Sequence, residues 1–595
     1  MAQRRDYIVS TSFRTYLTAT ILTMVIEQLC LIFDGIIMSH LMGPDAMSAI
    51  NLMGPFGMIV GAVFFLFAVG GSILAGKAIG RQDFTRGRQV FTVSVLAGLV
   101  ASVAIIAICL PLQPQLVQSL CPDARLQPYL RDYMRMYLLV TPIVTLSGTL
   151  KQFTGVDGSP AVVTRAVILT VILNVAFDVL LVAGFGMGLD GSALATGIGE
   201  LGASVVMLRY VFSSRSSLGF ERHVPNWKEL LLDSVKESSS LVLSIVILPL
   251  VMLGVNRIVL DAQGADGAFI LSICNQSLSF TMLALAGCSN ALSALGSVMV
   301  GEKDYEGLRM LFDRAFWLTI AFTALVTVLI LIWPEGLASL FGGSSQYWKD
   351  LCRTPLREYV LVFVPYAVYM ISRFVYLLTD HRVLSAILST MTFVLLLPAI
   401  WIMARLIPEH IWLAYPAVAL LSLAFQLVSV TWISRKEKNE VYWFTLIPKE
   451  DGVTNKKSFS ISYDRSDLED SLVQLNDYLK GLSLSDTMVF RTSLVVEELA
   501  KNIISHAVAH PRQRQCFDLM IRLDDDGSLN LVVKDDGKPF DPLSQKPRQY
   551  TAKELLELDS SELRFGLLLA KNSCSEMSYR TMYGLNITYV TIKEE

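Results

Sequence analysis

Two sets of side chains in this 595-residue chain have types and spacings that could do chemistry. Asp34 lies inside one apolar stretch. Asn174 and Asp178 lie in another, four apart, so a helix puts both on one face. A carboxylate in such surroundings is costly and by default marks function. Two carboxylates and an amide oxygen offer hard-oxygen ligands for sodium; alternatively, two close carboxylates share one exchangeable proton. The second set lies far downstream. Glu498 and Asn502 are four apart in Leu494-Val-Val-Glu-Glu-Leu-Ala-Lys-Asn502, again on one helical face. They are followed by Asp535-Asp-Gly537, an acid two residues before a glycine at a strand end, where the absent Cβ lets a ligand approach the backbone.

The elements that must position these residues divide into two kinds. The chain is 53% hydrophobic and 17% charged, below the ~25% of ordinary soluble domains, and its mean hydropathy is +0.52. A membrane span needs ~20 mostly apolar residues. About twelve stretches qualify: 14–38, 50–78, 90–112, 131–155, 162–184, 190–212, 234–260, 266–297, 311–333, 356–378, 383–407 and 411–434. They must be helices, because lipid offers backbone amides no partner. The first follows Arg4, Arg5 and Arg14 and is expected to stay as an anchor rather than be cleaved. Basic residues cluster in alternate loops (Lys77 to Arg88, Arg209 to Lys236, Lys303 to Arg314) and after the last span (Arg435, Lys436, Lys438). Both termini are therefore expected in the cytoplasm of an inner-membrane protein. The eight cysteines and six histidines have no metal or redox spacing. The net charge of −3 carries no sign of a nucleic-acid partner, and none is expected.

The bundle also repeats itself. Gly80-Arg-Gln-Asp-Phe-Thr-Arg-Gly-Arg88 matches Gly301-Glu-Lys-Asp-Tyr-Glu-Gly-Leu-Arg309, each after a small-residue-rich stretch, and Pro142 recurs as Pro365. This predicts two six-helix lobes, about 10–215 and 230–434, with a solute path between them. Three motifs carry a resemblance to the multidrug and toxic compound extrusion (MATE) family over residues 10–440: Phe33-Asp-Gly-Ile-Ile-Met-Ser-His-Leu-Met-Gly43; Gly155-Val-Asp-Gly-Ser-Pro160 with Asn174-Val-Ala-Phe-Asp178; and the repeated Gly-x-x-Asp-aromatic loop. The resemblance implies a two-lobed antiporter expelling organic, often cationic, compounds against sodium or proton entry. It places the ion-coupling site at Asp34, Asn174 and Asp178. Glu27, seven residues before Asp34, is a candidate fourth member. Glu200 and Arg257 are expected to be structural, and the seventh span carries no mid-span acid.

After a polar connector at 435–455 the pattern changes. Alternation marks strands at Lys457–Tyr463, Phe517–Leu523, Leu529–Lys534, Glu576–Thr581 and Asn586–Ile592, and helical periods mark 466–480, 486–509 and 562–573. Residues 456–595 are thus expected to form an α/β sandwich. This part resembles the Bergerat-type ATP-binding domains of histidine kinases, gyrase and heat-shock chaperones, and most closely the anti-sigma-factor serine kinases. The resemblance implies ATP and Mg2+, with Asn502 holding magnesium, Glu498 positioning a water or an acceptor hydroxyl, and Asp535 accepting the adenine amino group beside Gly537. Gly566 in Arg564-Phe-Gly-Leu-Leu-Leu569 would cradle phosphate at a helix start, although Leu568 stands where the family usually has a second glycine. His506 is expected to be structural; Lys546, Arg548, Lys553 and Arg564 of the intervening segment could touch phosphates or form a solvated basic loop. No Walker loop occurs, so this domain is not expected to drive transport. The resulting expectation is an ion-coupled exporter in the lipid bilayer, regulated by a cytosolic ATP-binding domain that could also dimerise. The alternatives are a membrane sensor joined to a serine/threonine kinase with a phosphorylated partner protein, and a lipid-precursor flippase.

Overall fold

The structure is a computed structural model. It describes the chain except residues 1, 43–45, 47–48, 51, 122–123, 341–345, 439, 451–454, 483, 507–515, 525, 542, 544–564 and 595. Contacts divide it into two compact units: Tyr16–Lys449, and Met1–Thr15 together with Glu450–Glu595.

The larger unit is an α-helical membrane bundle. Its helices are α1 (Ala2–Met42), which begins in the other unit, α2 (Gly54–Gly80), α3 (Phe84–Cys109), α4 (Gln127–Val156), α5 (Pro160–Asp178) and α6 (Gly188–Val211). A helical stretch Trp227–Gly301 follows. It breaks at Gly264, whose φ of 65° only glycine adopts freely, into α7 and α8, with apolar parts Leu241–Gly264 and Asp266–Gly301. Then come α9 (Tyr305–Ile332), α10 (Gln346–Leu378), α11 (Arg382–Leu406) and α12 (Ala414–Lys436). Ten of these are long and apolar enough to cross a membrane; α1 and α4 occupy the remaining two expected positions. Before Pro365, α10 tightens to a 3₁₀ turn, Val360–Val362, because proline has no N–H to donate to the preceding turn.

The internal repeat is visible in the backbone. Gln82 and Lys303 both take positive φ, at 64° and 57°. Next to them Asp83 and Asp304 cap α3 and α9 by accepting from the Arg86 and Gly307 amides, each at 2.9 Å. The two copies also pack on one another: a Cβ on Gly301 would overlap the Lys77 carbonyl and lie 2.9 Å from the Gly80 Cα. Beyond α12, residues 441–448 form a small turn, bridged from Val441 to Pro448. Leu446 and Ile447 are buried, and Tyr376 of α10 donates to the Phe444 carbonyl at 2.8 Å.

The second unit carries a five-stranded antiparallel sheet, ordered β1-β2-β3-β5-β4. The strands are β1 (Lys456–Ser462), β2 (Cys516–Leu523), β3 (Leu529–Asp535), β4 (Glu576–Met582) and β5 (Leu585–Ile592). Helices α13 (Arg465–Gly481), α14 (Asp486–His506) and α15 (Phe565–Asn572) complete the unit. Alternate strand residues such as Phe459, Leu519, Leu531 and Val590 share one core with Leu475, Val495 and Leu499 of α13 and α14. On the other face Met520, Val532, Ile587 and Tyr589 are also buried. In this unit the start of α1 contributes Ile8, Val9, Ser12 and Phe13, all buried.

Candidate functional site

The bundle brings its predicted acids together. Asp34 on α1 and Asp178 at the end of α5 lie close enough for their charges to interact, with Ser192 of α6 beside Asp178 and Tyr133 of α4 near both. Both Asp178 oxygens and one Asp34 oxygen are buried without a protein hydrogen-bond partner. Buried carboxylate oxygens left in this way fit a bound cation or a shared proton. The amide of Asn174 borders the acids. Its Nδ2 donates to Thr196 of α6 at 3.2 Å, and its Oδ1 accepts from the Cys30 thiol at 3.5 Å. Directly after Asp178 the helix widens into a π-helical turn, Val179–Gly184, a distortion found often at functional positions.

Glu27 does not join this cluster. It pairs with Lys151 at 3.3 Å, and Lys151 pairs with Glu200 at 3.1 Å. Sequence reasoning missed Ser192, Thr196, Cys30 and Tyr133. The serine and threonine, four apart in an otherwise apolar helix, were a readable signal.

A second charged cluster joins the lobes. Lys77 of α2 pairs with Glu237 at 3.1 Å and with Asp380 at 3.5 Å, and Arg382 of α11 pairs with Glu237 at 2.7 Å. The Lys77 and Glu237 side chains are 9% and 2% exposed, so this pair is desolvated. Around it, glycines of α2 let the lobes touch: a Cβ on Gly70 would overlap the Ser234 carbonyl, and one on Gly76 the Ser297 hydroxyl. The bundle is thus tightly packed at the ends of α2, α8 and α10. The motif Gly80–Arg88 was read as a repeat, but the Lys77 pairing joins residues too distant in sequence to be seen there.

In the smaller unit, β3 ends at Asp535, which the register sets opposite Asn586 of β5. Asn586 Nδ2 donates to Asp535 Oδ1 at 2.8 Å, the Gly537 amide donates to the same oxygen at 2.9 Å, and Tyr579 hydroxyl donates to Asn586 Oδ1 at 2.8 Å. One carboxylate oxygen is thereby fixed, which orients the other. Burial pushes the Asp535 carboxyl above its ordinary range, and the Asn586 hydrogen bond pulls it partly back. Asn586 and Tyr579 were not anticipated; their signal is the polar residue at an inward position of β5.

Glu498 and Asn502 share α14. Asn502 Nδ2 donates to the Glu498 carbonyl at 2.8 Å, which directs its Oδ1 away from the backbone as an oxygen ligand for a hard cation. Glu498 also meets Lys501 at 3.5 Å. Gly566 lies in the first turn of α15. The ATPase-type unit thus offers Asp535 as an acceptor, Asn502 as an amide and Glu498 as a carboxylate. The basic residues Lys546, Arg548, Lys553 and Arg564 lie outside the described residues.

Asp536 follows directly after the end of β3. It accepts a 2.6 Å hydrogen bond from the hydroxyl of Tyr7. Burial, followed by this bond, pushes the Tyr7 hydroxyl up to about 12, so it stays a donor at physiological pH. Thr15 lies against Gly584 in the β4–β5 turn; a Cβ there would come within 3.3 Å of it. The start of α1 is therefore part of the same unit as the Asp535 pocket.

Comparison with known proteins places both units. The MatE model matches residues 19–180 and 241–405, together more than half of the chain. The chain belongs to the MatE family. In this MatE chain, residues 465–592 match the histidine kinase-like ATPase domain, a fold that implies ATP and Mg2+. Among curated relatives, the multidrug export protein MepA of Staphylococcus haemolyticus is 26% identical over 279 residues, 46% of this chain and 62% of that protein. MepA of Staphylococcus aureus is 27% identical over 221 residues, 36% of this chain and 49% of that protein. The chain thus matches 49% to 62% of the length of those relatives. A solved outward-facing multidrug resistance MATE family transporter of the MOP superfamily superposes with a TM-score of 0.66 at 19% identity, covering 71% of this chain and 95% of that one. MATE in complex with MaL6 gives 0.64 at 21%, covering 73% and 99%. At these identities the likeness establishes the fold.

Proposed function

We propose that this MatE chain is an ion-coupled exporter of drug-like organic compounds, and that its ATPase-type domain regulates it. In this reading both termini face the cytoplasm. Asp34 and Asp178 exchange a sodium ion or a proton with the aqueous phase, and Asn174 lends its amide to the same site. The relatives' printed role in multidrug export supports the solute class. One observation carries the combined reading. Helix α1, Ala2–Met42, bears Asp34 in the bundle, and its first turns belong to the unit whose adenine-side strand ends at Asp535 and Asp536. A change at that strand end therefore acts on the helix that carries the coupling acid. ATP gates transport here and does not power it.

The test is export of a fluorescent dye from reconstituted vesicles, with the ion gradient and ATP varied separately. An imposed gradient should drive export without ATP, and ATP should change only the rate. Asp34→Asn should reduce export to the level of protein-free vesicles. Export that needs ATP but no gradient, or that survives in Asp34→Asn, overturns the reading.

A further inference from the structure

The coupling acids stand at one end of a polar line. On α1, Glu27, Cys30 and Asp34 recur every three or four residues and share one face; on α6, Ser192, Thr196 and Glu200 do the same. Lys151 of α4 closes the far end, pairing with Glu27 at 3.3 Å and with Glu200 at 3.1 Å. Between the two ends the Cys30 thiol donates to Asn174, whose amide donates to Thr196. The helical rise sets Glu27 about 10 Å from Asp34 along α1. The charges of Asp34, Asp178, Glu200 and Glu27 all act on Cys30, midway. Lys151 and Glu200 are largely buried, and the second Glu200 oxygen is buried without a protein hydrogen-bond partner. Beside Lys151 lies a cavity of about 120 Å³, room for several water molecules but not for a drug-sized solute. Glu27, Lys151, Gln152, Thr20, Thr23 and Asn290 border it. In the proposed orientation this is the cytoplasmic end of the line. Two carboxylates and one ammonium leave the cluster there with a net charge of −1.

We propose that Glu200 is the relay through which the coupling cation leaves Asp34 and Asp178 for the cytoplasm, and that Lys151 is a positioning residue that keeps this relay from becoming a trap. The inference rests on the ion-coupled export reading and adds the exit route to it. A cation released from Asp34 and Asp178 needs a further oxygen within reach and then a hydrated space. The unpartnered Glu200 oxygen supplies the first and the cavity the second. A sodium ion trades one set of oxygens for the next; a proton leaves Asp178 and is taken up by Glu200, and the charges balance in both cases. Without Lys151, Glu27 and Glu200 would form a second dicarboxylate site that holds the cation. Its ammonium cancels one of the two charges and leaves the other for the ion in passage.

The test is a charge series read by cation binding. The full-length protein in lipid nanodiscs is heated while sodium replaces choline at fixed pH and ionic strength, and separately while pH is varied without sodium. The titration that raises the unfolding temperature identifies the cation. The cluster carries −1 in the native chain, −2 in Lys151→Gln, 0 in Glu200→Gln and −1 again in Lys151→Gln/Glu200→Gln. One unit charge about 10 Å away, at an effective dielectric of about 20, changes cation affinity about ten-fold. The half-effect sodium concentration should therefore fall about ten-fold in Lys151→Gln, rise about ten-fold in Glu200→Gln and return in the double variant. If the cation is a proton, the half-effect pH should rise by about one unit in the first and fall by about one in the second. Glu27→Gln removes the same charge and should act as Glu200→Gln does, which keeps the series readable where one variant does not fold. In vesicles, Glu200→Gln should lower gradient-driven export about ten-fold, and Glu200→Asp should restore it. Equal affinity across the series, shifts of the same sign in Lys151→Gln and Glu200→Gln, no cation effect in either titration, or an undiminished export rate in Glu200→Gln overturns the proposal. A failed export reading shows instead as charge-ordered cation binding without gradient-driven transport, and a failed relay as transport with a cation affinity indifferent to these charges.

Discussion

At the loop after its second helix, each lobe of the bundle makes the same turn. Gln82 and Lys303 share a left-handed backbone, and Asp83 and Asp304 cap the next helix through the same atoms. Inside, the two lobes bury opposite chemistry. The first encloses Asp34 and Asp178 with carboxylate oxygens lacking protein partners. The second encloses tyrosines, two asparagines and Arg373, with Glu358 already matched by His410. A duplicated scaffold thus keeps the loops that set helix geometry while its interiors diverge. Turn conformation depends on a few local residues, whereas interior charge depends on single side chains that can change without disturbing the backbone.

The largest expected effect lies where the lobes meet. Both contribute to one shared ion cluster: the first lobe supplies Lys77, and the second supplies Glu237, Asp380 and Arg382. Glu237→Gln leaves Lys77 buried with only Asp380, itself 71% exposed, as an anionic neighbour. Breaking a buried pair from one side costs about 3 kcal/mol or more. Thermal unfolding of the purified protein should therefore begin at lower temperature. If this cluster also latches one conformation, a cysteine placed at Ser234 should label faster in Glu237→Gln. The double variant Lys77→Met/Glu237→Gln, with no uncompensated charge, should recover most of the thermal stability but keep the faster labelling. Unchanged stability in Glu237→Gln would show that the cluster is more hydrated than its burial indicates.

A smaller effect tests the contrast between interiors directly. Asn275→Asp places a carboxylate in the second lobe's interior at nearly constant volume. Ion-driven turnover should still require Asp34. If Asn275→Asp instead rescued ion coupling in Asp34→Asn, the lobes would be interchangeable in charge.

Much of this was legible in the sequence, and what was not has a physical reason. The helices were readable because lipid forces long apolar runs, and the sheet because one face of each strand must alternate. Asp34, Asn174 and Asp178 were readable because a polar residue in an apolar run is conspicuous. Asn586 and Tyr579 were not, since a polar residue near the end of a strand is ordinary until the register sets it opposite Asp535. Arg373 stands near a span end, where a cation is ordinary, and only packing shows it donating to Ser389 over the Phe374 ring. Tyr7 was overlooked because it precedes the first span, and nothing local tells that a terminal tyrosine meets Asp536.

That tyrosine carries the smallest effect and the finest test of the comparison. Among the described residues, it is α1 of the first lobe whose beginning is built into the ATPase-type unit. Tyr7→Phe removes the hydroxyl that donates to Asp536 and leaves the ring, so the loss is one hydrogen bond to a charged group, about 1.5 kcal/mol. ATP should still bind, because Asp535 keeps its contacts to Asn586 and Gly537. The change in gradient-driven export on adding ATP should shrink by up to about ten-fold, the most that such a bond can transmit. An altered ATP affinity with an unaltered ATP effect on export would place Tyr7 in the nucleotide pocket alone.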